Sequence, residues 1–173
     1  MPADLFRRID LDELFPPFRD VLLEVIARCR ARGADYVATS GYRSESAQAE
    51  LHARYRRGEG GRAAPAGYSA HNFGIAVDFV RDGDPHRPGV QPRWDLPAYE
   101  ILGQEVGRAG LAWGGSFGDA PHVQWPGFVR ASELEQLRAG DLGDAWALLA
   151  RLLDSTWRKG HPRLSAELER LGY

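Results

Sequence analysis

The chain has 173 residues, 43% of them apolar and 27% charged, with 22 basic side chains against 24 acidic ones and a net charge of -2. That composition suits one globular domain with a real core; it excludes a disordered tail and a nucleic-acid binder held mainly by charge. The single cysteine, Cys29, excludes an intramolecular disulfide and a CxxC metal knuckle, so a metal site would rest on histidines and carboxylates.

No stretch approaches the ~20 consecutive apolar residues of a membrane span. Residues Met1 to Phe18 lack the apolar segment and small-residue cleavage site of a secretory signal. The expectation is a monomeric chain made in the cytoplasm, with no membrane span and no nucleic-acid partner.

Pro16 and Pro17 open the first helix. Phe18, Val21, Leu22, Val25 and Cys29 recur along it at helical spacing, and Gly33 stops it. On that stripe Cys29 reads as a buried core thiol. Tyr36 to Thr39 reads as a strand. Ser44 or Ser46 caps a second helix that carries Ala47, Leu51 and Tyr55 and ends at Gly58. Gly58 to Gly67 is a loop. Its neighbourhood holds Arg54, Arg56, Arg57 and Arg62, which read as a solvated face.

Ile75 to Val80 is an apolar, β-branched strand. Arg81 to Arg93 reads as a long surface loop in which Asp82 and Asp84 form turns. A third helix spans Pro97 to Ala109, with Leu102, Val106 and Ala109 facing inward and Gly110 closing it. Leu111 to Trp113 and Val123 to Trp125 are short strands around a glycine-rich turn. Beyond Gly127 the pattern is helical only: Ser132 to Arg138, Asp144 to Asp154 and Ser165 to Leu171. Residues 1–127 then form the main domain and residues 128–173 a helical extension packed on it. The fold class expected is α+β, a small and mainly antiparallel sheet with helices against one face.

Of five histidines, His52, His86 and His161 have no acidic partner at a telling spacing and read as surface residues. His71 and His122 differ. His71 stands just before a strand whose apolar run contains Asp78, and a carboxylate there needs hydrogen bonds, a counter-charge or a metal. His122 lies among strand-like residues, three positions after Asp119. Two imidazoles and one carboxylate, with a fourth position left to water, form the pattern of a catalytic zinc site. A carboxylate near the metal but not on it can take a proton from that water. The competing reading pairs Asp78 with an arginine such as Arg43 and leaves both histidines as core filling.

Several segments in order carry a resemblance. They are Ser40-Gly41-Tyr42-Arg43-Ser44, Gln48, Ser69 to Asp78, Trp113-Gly114-Gly115, and Asp119 to Gln124. Together they resemble the D-Ala-D-Ala metallopeptidase family, which includes the vancomycin-resistance D,D-peptidases, and within it the branch of phage L-alanyl-D-glutamate endolysins and related bacterial cell-wall hydrolases. The resemblance runs from about Phe15 to Trp125. It implies a hedgehog/D,D-peptidase-like fold and zinc ligation by His71, Asp78 and His122. It also implies that Asp119 is the catalytic acid/base and that Arg43 stabilises the polarised carbonyl or binds a substrate carboxylate. Ser69 and Gln48 match positions near the substrate.

The activity so implied is hydrolysis of a peptidoglycan stem-peptide bond: L-Ala-D-Glu first, D-Ala-D-Ala as the alternative. Such a chain would reach the wall after lysis or by non-classical export. Two rivals stand beside it. Gly114-Gly115-Ser116-Phe117-Gly118 fits the G-x-S-x-G pattern of serine hydrolases, which needs a strand before it and a helix directly after it. A non-catalytic, zinc-containing binding module is the other; Asp119 speaks against it, because a purely structural site has no need of a proton acceptor.

Overall fold

The computed structural model describes residues 2–127 and 131–173. Two short 3-10 turns, Pro2–Phe6 and Leu11–Glu13, lead into helix α1, Pro16–Ala31. Its first turn carries prolines whose missing N–H groups would have no intrahelical partner anyway. Phe18, Val21, Leu22, Val25, Ile26 and Cys29 are wholly buried on one face. Each large apolar side chain so buried contributes roughly 1.5–3 kcal/mol. Gly33, at φ 75°, takes the left-handed conformation that ends the helix.

Strand β1, Asp35–Ser40, pairs antiparallel with β2, Ala76–Asp82. On the far side of β2 runs β5, His122–Gln124, which pairs in turn with β4, Ala112–Trp113. A two-residue strand β3, Pro92–Arg93, adds to the end of β2. Every pairing is antiparallel and the main order is β1-β2-β5-β4. Helix α1 packs on β1 and on α3, Glu100–Ala109, which buries Leu102, Val106 and Ala109. The α+β architecture expected from the sequence is the one observed.

Several local expectations need correction. Helix α2, Glu45–Arg56, is capped by Ser44 as expected, but Ala47 and Tyr55 are exposed and Leu51 only half-buried. Its one buried residue is Gln48. The segment 81–93 is not all loop, because β2 continues through Asp82 and β3 pairs with it. Asp82 does form turns there, accepting from the N–H groups of Asp84 and Gln91. The third helix starts as a 3-10 turn, Leu96–Tyr99.

Four helices follow: α4, Ala131–Ala139; α5, Leu142–Leu152; α6, Ser155–Gly160; and α7, Pro162–Leu171. Of these α6 escaped the sequence reading; its six residues are too few to show a period. The expected boundary after Gly127 falls on residues 128–130, outside the described residues. Leu164 and Leu168 of α7 lie wholly buried in the same core as α1 and α3. Trp146 of α5 donates from Nε1 to the Phe73 carbonyl at 2.9 Å. No helix among the described residues is long and apolar enough to cross a membrane.

Candidate metal centre

The register between β2 and β5 sets Asp78 directly opposite His122. Oδ1 of Asp78 lies 2.8 Å from Nδ1 of His122. His71 arrives from the 3-10 turn Ala70–Phe73 that precedes β2, and its Nε2 lies 3.3 Å from Asp78 Oδ2. The two imidazole rings are 5.2 Å apart between centroids. One ligand atom from each of the three residues lies within 4.8 Å of the others. The strands and the turn thus bring together the three residues that the sequence analysis grouped as one donor set.

The turn that carries His71 is tied on all sides. Ser69 caps it, its Oγ accepting from the His71 N–H at 3.3 Å. Asn72 accepts from the N–H groups of Gly67 and Ser69 and donates from Nδ2 to the Arg43 carbonyl at 2.8 Å. The Arg43 N–H in turn donates to the His71 carbonyl at 3.0 Å. Gly74 ends the turn at φ 65°, and a Cβ there would collide with the Glu13 carbonyl oxygen. Only glycine meets both demands.

Hydrogen bonds on the outer nitrogens fix the tautomers. Nδ1 of His71 lies 2.7 Å from the Gly41 carbonyl oxygen, which only accepts, so Nδ1 carries the proton and Nε2 presents a lone pair. Nε2 of His122 lies 2.9 Å from Gln124 Oε1, an acceptor that can hold the ring proton on Nε2 and leave Nδ1 to a metal. The inner nitrogens of both rings converge on the Asp78 carboxylate, where either a ring proton or a metal cation can sit between them. This donor set fits a zinc ion with one position left open. Gly41 and Gln124 hold the outer nitrogens of the two rings, and the sequence reading left both without a role. Gln124 had a legible signal, since it follows His122 by two and shares its face of β5. A backbone carbonyl such as that of Gly41 has none.

The charges follow from this packing. Burial pushes the Asp78 carboxyl up, but hydrogen bonds from His122 and His71 and their charge overcome it and hold Asp78 far below the usual carboxylate range. Burial opposes charge on His122, yet the bond to Asp78 raises it above the ordinary histidine value. Asp119 is shifted the other way: burial and the nearby Asp78 charge raise its carboxyl above the ordinary range. It sits in the loop before β5, its N–H donating to the Gly114 carbonyl at 2.8 Å and its carbonyl accepting from the His122 N–H at 3.0 Å. A Cβ on Gly114 would strike the Asp119 carbonyl oxygen, so the loop closes over glycine.

A cleft of about 310 Å³ joins His71, Asp78, His122 and Asp119 to Arg43, Gln48 and Ser69. All seven residues picked from the sequence therefore line one space. The Arg43 guanidinium donates from Nη1 to Gln48 Oε1 at 2.9 Å and from Nη2 to Ser40 Oγ at 2.8 Å. Its distance to Asp78 Oδ2 is 3.8 Å, a loose ion pair with no hydrogen bond. Gln48 completes the brace by donating from Nε2 to the Ala64 carbonyl at 2.7 Å.

The remaining histidines stay outside. His86 is exposed, as expected; His52 and His161 are half-buried, which corrects the surface reading of both. His52 bonds the Ala63 carbonyl, and His161 stacks on Trp157 with centroids 4.3 Å apart. In the G-x-S-x-G segment, Gly114–Phe117 forms a 3-10 turn followed by a loop. Ser116 is exposed and donates from Oγ to the Trp113 carbonyl at 2.8 Å. The strand–nucleophile–helix geometry of a serine hydrolase is absent there.

Residues 13–112 match the family VanY, D-alanyl-D-alanine carboxypeptidase, which is more than half of the chain. That span holds His71 and Asp78 but stops before Asp119 and His122, which join them through the β2–β5 pairing. The peptidoglycan L-alanyl-D-glutamate endopeptidase CwlK of Bacillus subtilis (strain 168) is 32% identical over 113 residues. That alignment takes in 54% of this chain and 62% of the relative, so the chain spans less than two thirds of it. Among solved structures, the Serratia marcescens L-Ala D-Glu endopeptidase ChiX is 26% identical with a TM-score of 0.46, over 66% of this chain and 82% of that one. The D,D-pentapeptidase VanY from a VanB-type vancomycin resistance cassette, solved with Zn(II) as its E175A mutant, is 19% identical with a TM-score of 0.48, over 74% and 80%.

Proposed function

The chain belongs to the VanY family, D-alanyl-D-alanine carboxypeptidase, and we propose that it is a zinc-dependent peptidase that cuts the L-Ala-D-Glu bond of the peptidoglycan stem peptide. The observation that carries the reading is the His71, Asp78 and His122 donor set within 4.8 Å, with Asp119 lining the same cleft. The choice of bond draws on the 32% identity to an L-alanyl-D-glutamate endopeptidase. Cleavage of D-Ala-D-Ala is the second reading, supported by the family description.

His71, Asp78 and His122 would hold the zinc, through Nε2, a carboxylate oxygen and Nδ1. When bound, zinc supplies Lewis acidity toward the carbonyl and the attacking water. Asp119 takes the proton of that water and returns it to the leaving amine. Arg43, braced by Gln48 and Ser40, presents a fixed positive charge to the oxygen on which negative charge develops. Gln48 acts through Arg43, and Ser69 acts by holding the turn of His71. In this proposal residues 1–127 are the peptidase unit and the helices after them an extension packed on it.

The test is digestion of purified muropeptides with the zinc-loaded protein, read by mass spectrometry. A new D-glutamate amino terminus is the expected product. Free D-alanine with the L-Ala-D-Glu bond intact would move the assignment to the carboxypeptidase. A protein that binds zinc and muropeptides but leaves both bonds whole would establish the non-catalytic binding module instead.

A further inference from the structure

Two arginines line the cleft, and they stand in opposite situations. Arg43 has its guanidinium occupied by Gln48 and Ser40. Arg62 is exposed and, among the described residues, has no hydrogen-bond or ion-pair partner. Arg57 is exposed too but pairs with Glu59 at 2.7 Å, and Arg56, exposed and equally unpartnered among the described residues, does not line the cleft.

The backbone around Arg62 is nonetheless held. The two residues that follow it are pinned to α2 by side chains, Ala63 through His52 Nδ1 at 2.8 Å and Ala64 through Gln48 Nε2 at 2.7 Å. Gln48 is the same residue that braces Arg43. One glutamine therefore fixes both the occupied arginine and the loop that presents the free one. Gly61, Arg62, Ala63 and Ala64 form the cleft wall beside Leu51. A cation on an anchored wall with no intramolecular counter-ion is placed for an anion that comes with the ligand.

The proposed substrates supply that anion. In either stem-peptide bond considered above, the residue that leaves with the new amine bears a free carboxylate: the one D-Glu does not use in its chain linkage, or the terminus of D-Ala. Arg62 adds an uncommitted positive charge at the wall of a cleft that also holds the Asp78 and Asp119 carboxylates. We propose that Arg62 binds this substrate carboxylate and makes the cleft select peptides with an acidic group next to the scissile bond over their carboxamide counterparts. This deepens the peptidase reading and rests on it.

The experiment compares two synthetic stem peptides that differ only in that group, carboxylate against carboxamide. Zinc-loaded wild type, Arg62→Gln, Arg62→Lys and a remote control, Arg56→Gln, are each assayed for kcat and KM. Binding of both peptides to the metal-free proteins is measured alongside by calorimetry. Wild type should prefer the carboxylate by about tenfold in kcat/KM, most of it in KM. Arg62→Gln should erase that preference, bringing the carboxylate peptide down to the level of its carboxamide counterpart. Arg62→Lys should restore part of it, and Arg56→Gln should match wild type. Equal handling of the two peptides by wild type, or an undiminished preference in Arg62→Gln, overturns the inference. If neither peptide is cut but the binding preference persists and depends on Arg62, the peptidase reading falls and the carboxylate site stands.

Discussion

Asp78 and His122 face each other directly across β2 and β5, with Oδ1 of one 2.8 Å from Nδ1 of the other. A cross-strand pair of this kind is fixed by the whole ladder, since a slip of one residue would turn His122 to the other face of the sheet. The outer nitrogen of the same ring is fixed by Gln124 Oε1 at 2.9 Å. Gln124→Ala removes that acceptor without touching a ligand. It should weaken zinc binding by about 10- to 100-fold, because the ring loses its preferred tautomer and orientation. Competition against a chromophoric chelator reads this directly. Unchanged affinity would place the control of the His122 ring elsewhere.

Asp119 offers the cleanest separation of metal binding from turnover. It contributes no atom to the three-residue donor set, yet it lines the same cleft. Asp119→Ala should keep one zinc per chain and lose about 10²- to 10⁴-fold in kcat. Metal content by elemental analysis and muropeptide turnover are the two measurements. Loss of zinc in this variant would make Asp119 a ligand, and a near-normal rate would move the proton acceptor to another group.

Much of this was legible in the sequence because it was periodic or chemically odd. The stripe from Phe18 to Cys29 announced α1, and Asp78 stood out as a charge in an apolar strand. What stayed hidden had physical reasons. Helix α2 lies at the cleft rim, so its alanines are exposed, Leu51 is only half-buried and its one buried residue is polar, Gln48. Strand β3 is two residues long, too short for any alternation to show. The Gly41 carbonyl orients His71 through backbone alone. The pairing of α7 with α1 runs partly through charge, as in Arg28 to Glu167 at 3.1 Å, and long-range ion pairs leave no local pattern.

Arg43 tests the difference between charge and shape. Its fork reaches Gln48 and Ser40 at once, while its approach to Asp78 is only 3.8 Å. Arg43→Lys keeps the charge but cannot hold both partners in one plane. Activity should fall at least tenfold, with a melting temperature within about 2–4 °C of wild type, the shift expected for ~1 kcal/mol in a chain of this size. Should the variant lose much of its stability while its folded fraction remains fully active, Arg43 is a structural partner of Asp78 and not a group of the reaction.

The core itself predicts an alkaline limit. Cys29 is wholly buried between α1 and α3, and burial, with the Glu105 carboxylate nearby, pushes its thiol up to about 12. Tyr36 and Tyr99 are wholly buried too, and burial raises both to about 12. Their hydroxyls donate to the Ala98 and Phe79 carbonyls at 2.7 and 3.2 Å, which favours the protonated forms. In the unfolded chain these groups ionise near their ordinary values, 9.0 for the thiol and 10.0 for the phenols. A folded value above the unfolded one contributes stability that is fully present below pH 9 and is lost as pH rises toward 12. Each unit of separation is worth about 1.4 kcal/mol, so the three groups together should lower the melting temperature by about 10 °C or more between pH 8 and pH 11. Cys29→Ala should flatten the onset of that decline near pH 9 while starting from a lower stability, because it removes the lowest of the three ionisations and leaves a small cavity. The same burial predicts that a thiol reagent at pH 8 leaves Cys29 unmodified in the native protein and reacts with one thiol per chain once denaturant unfolds it. A flat melting temperature across this range, or rapid native labelling of Cys29, would contradict the packing of α1 against α3.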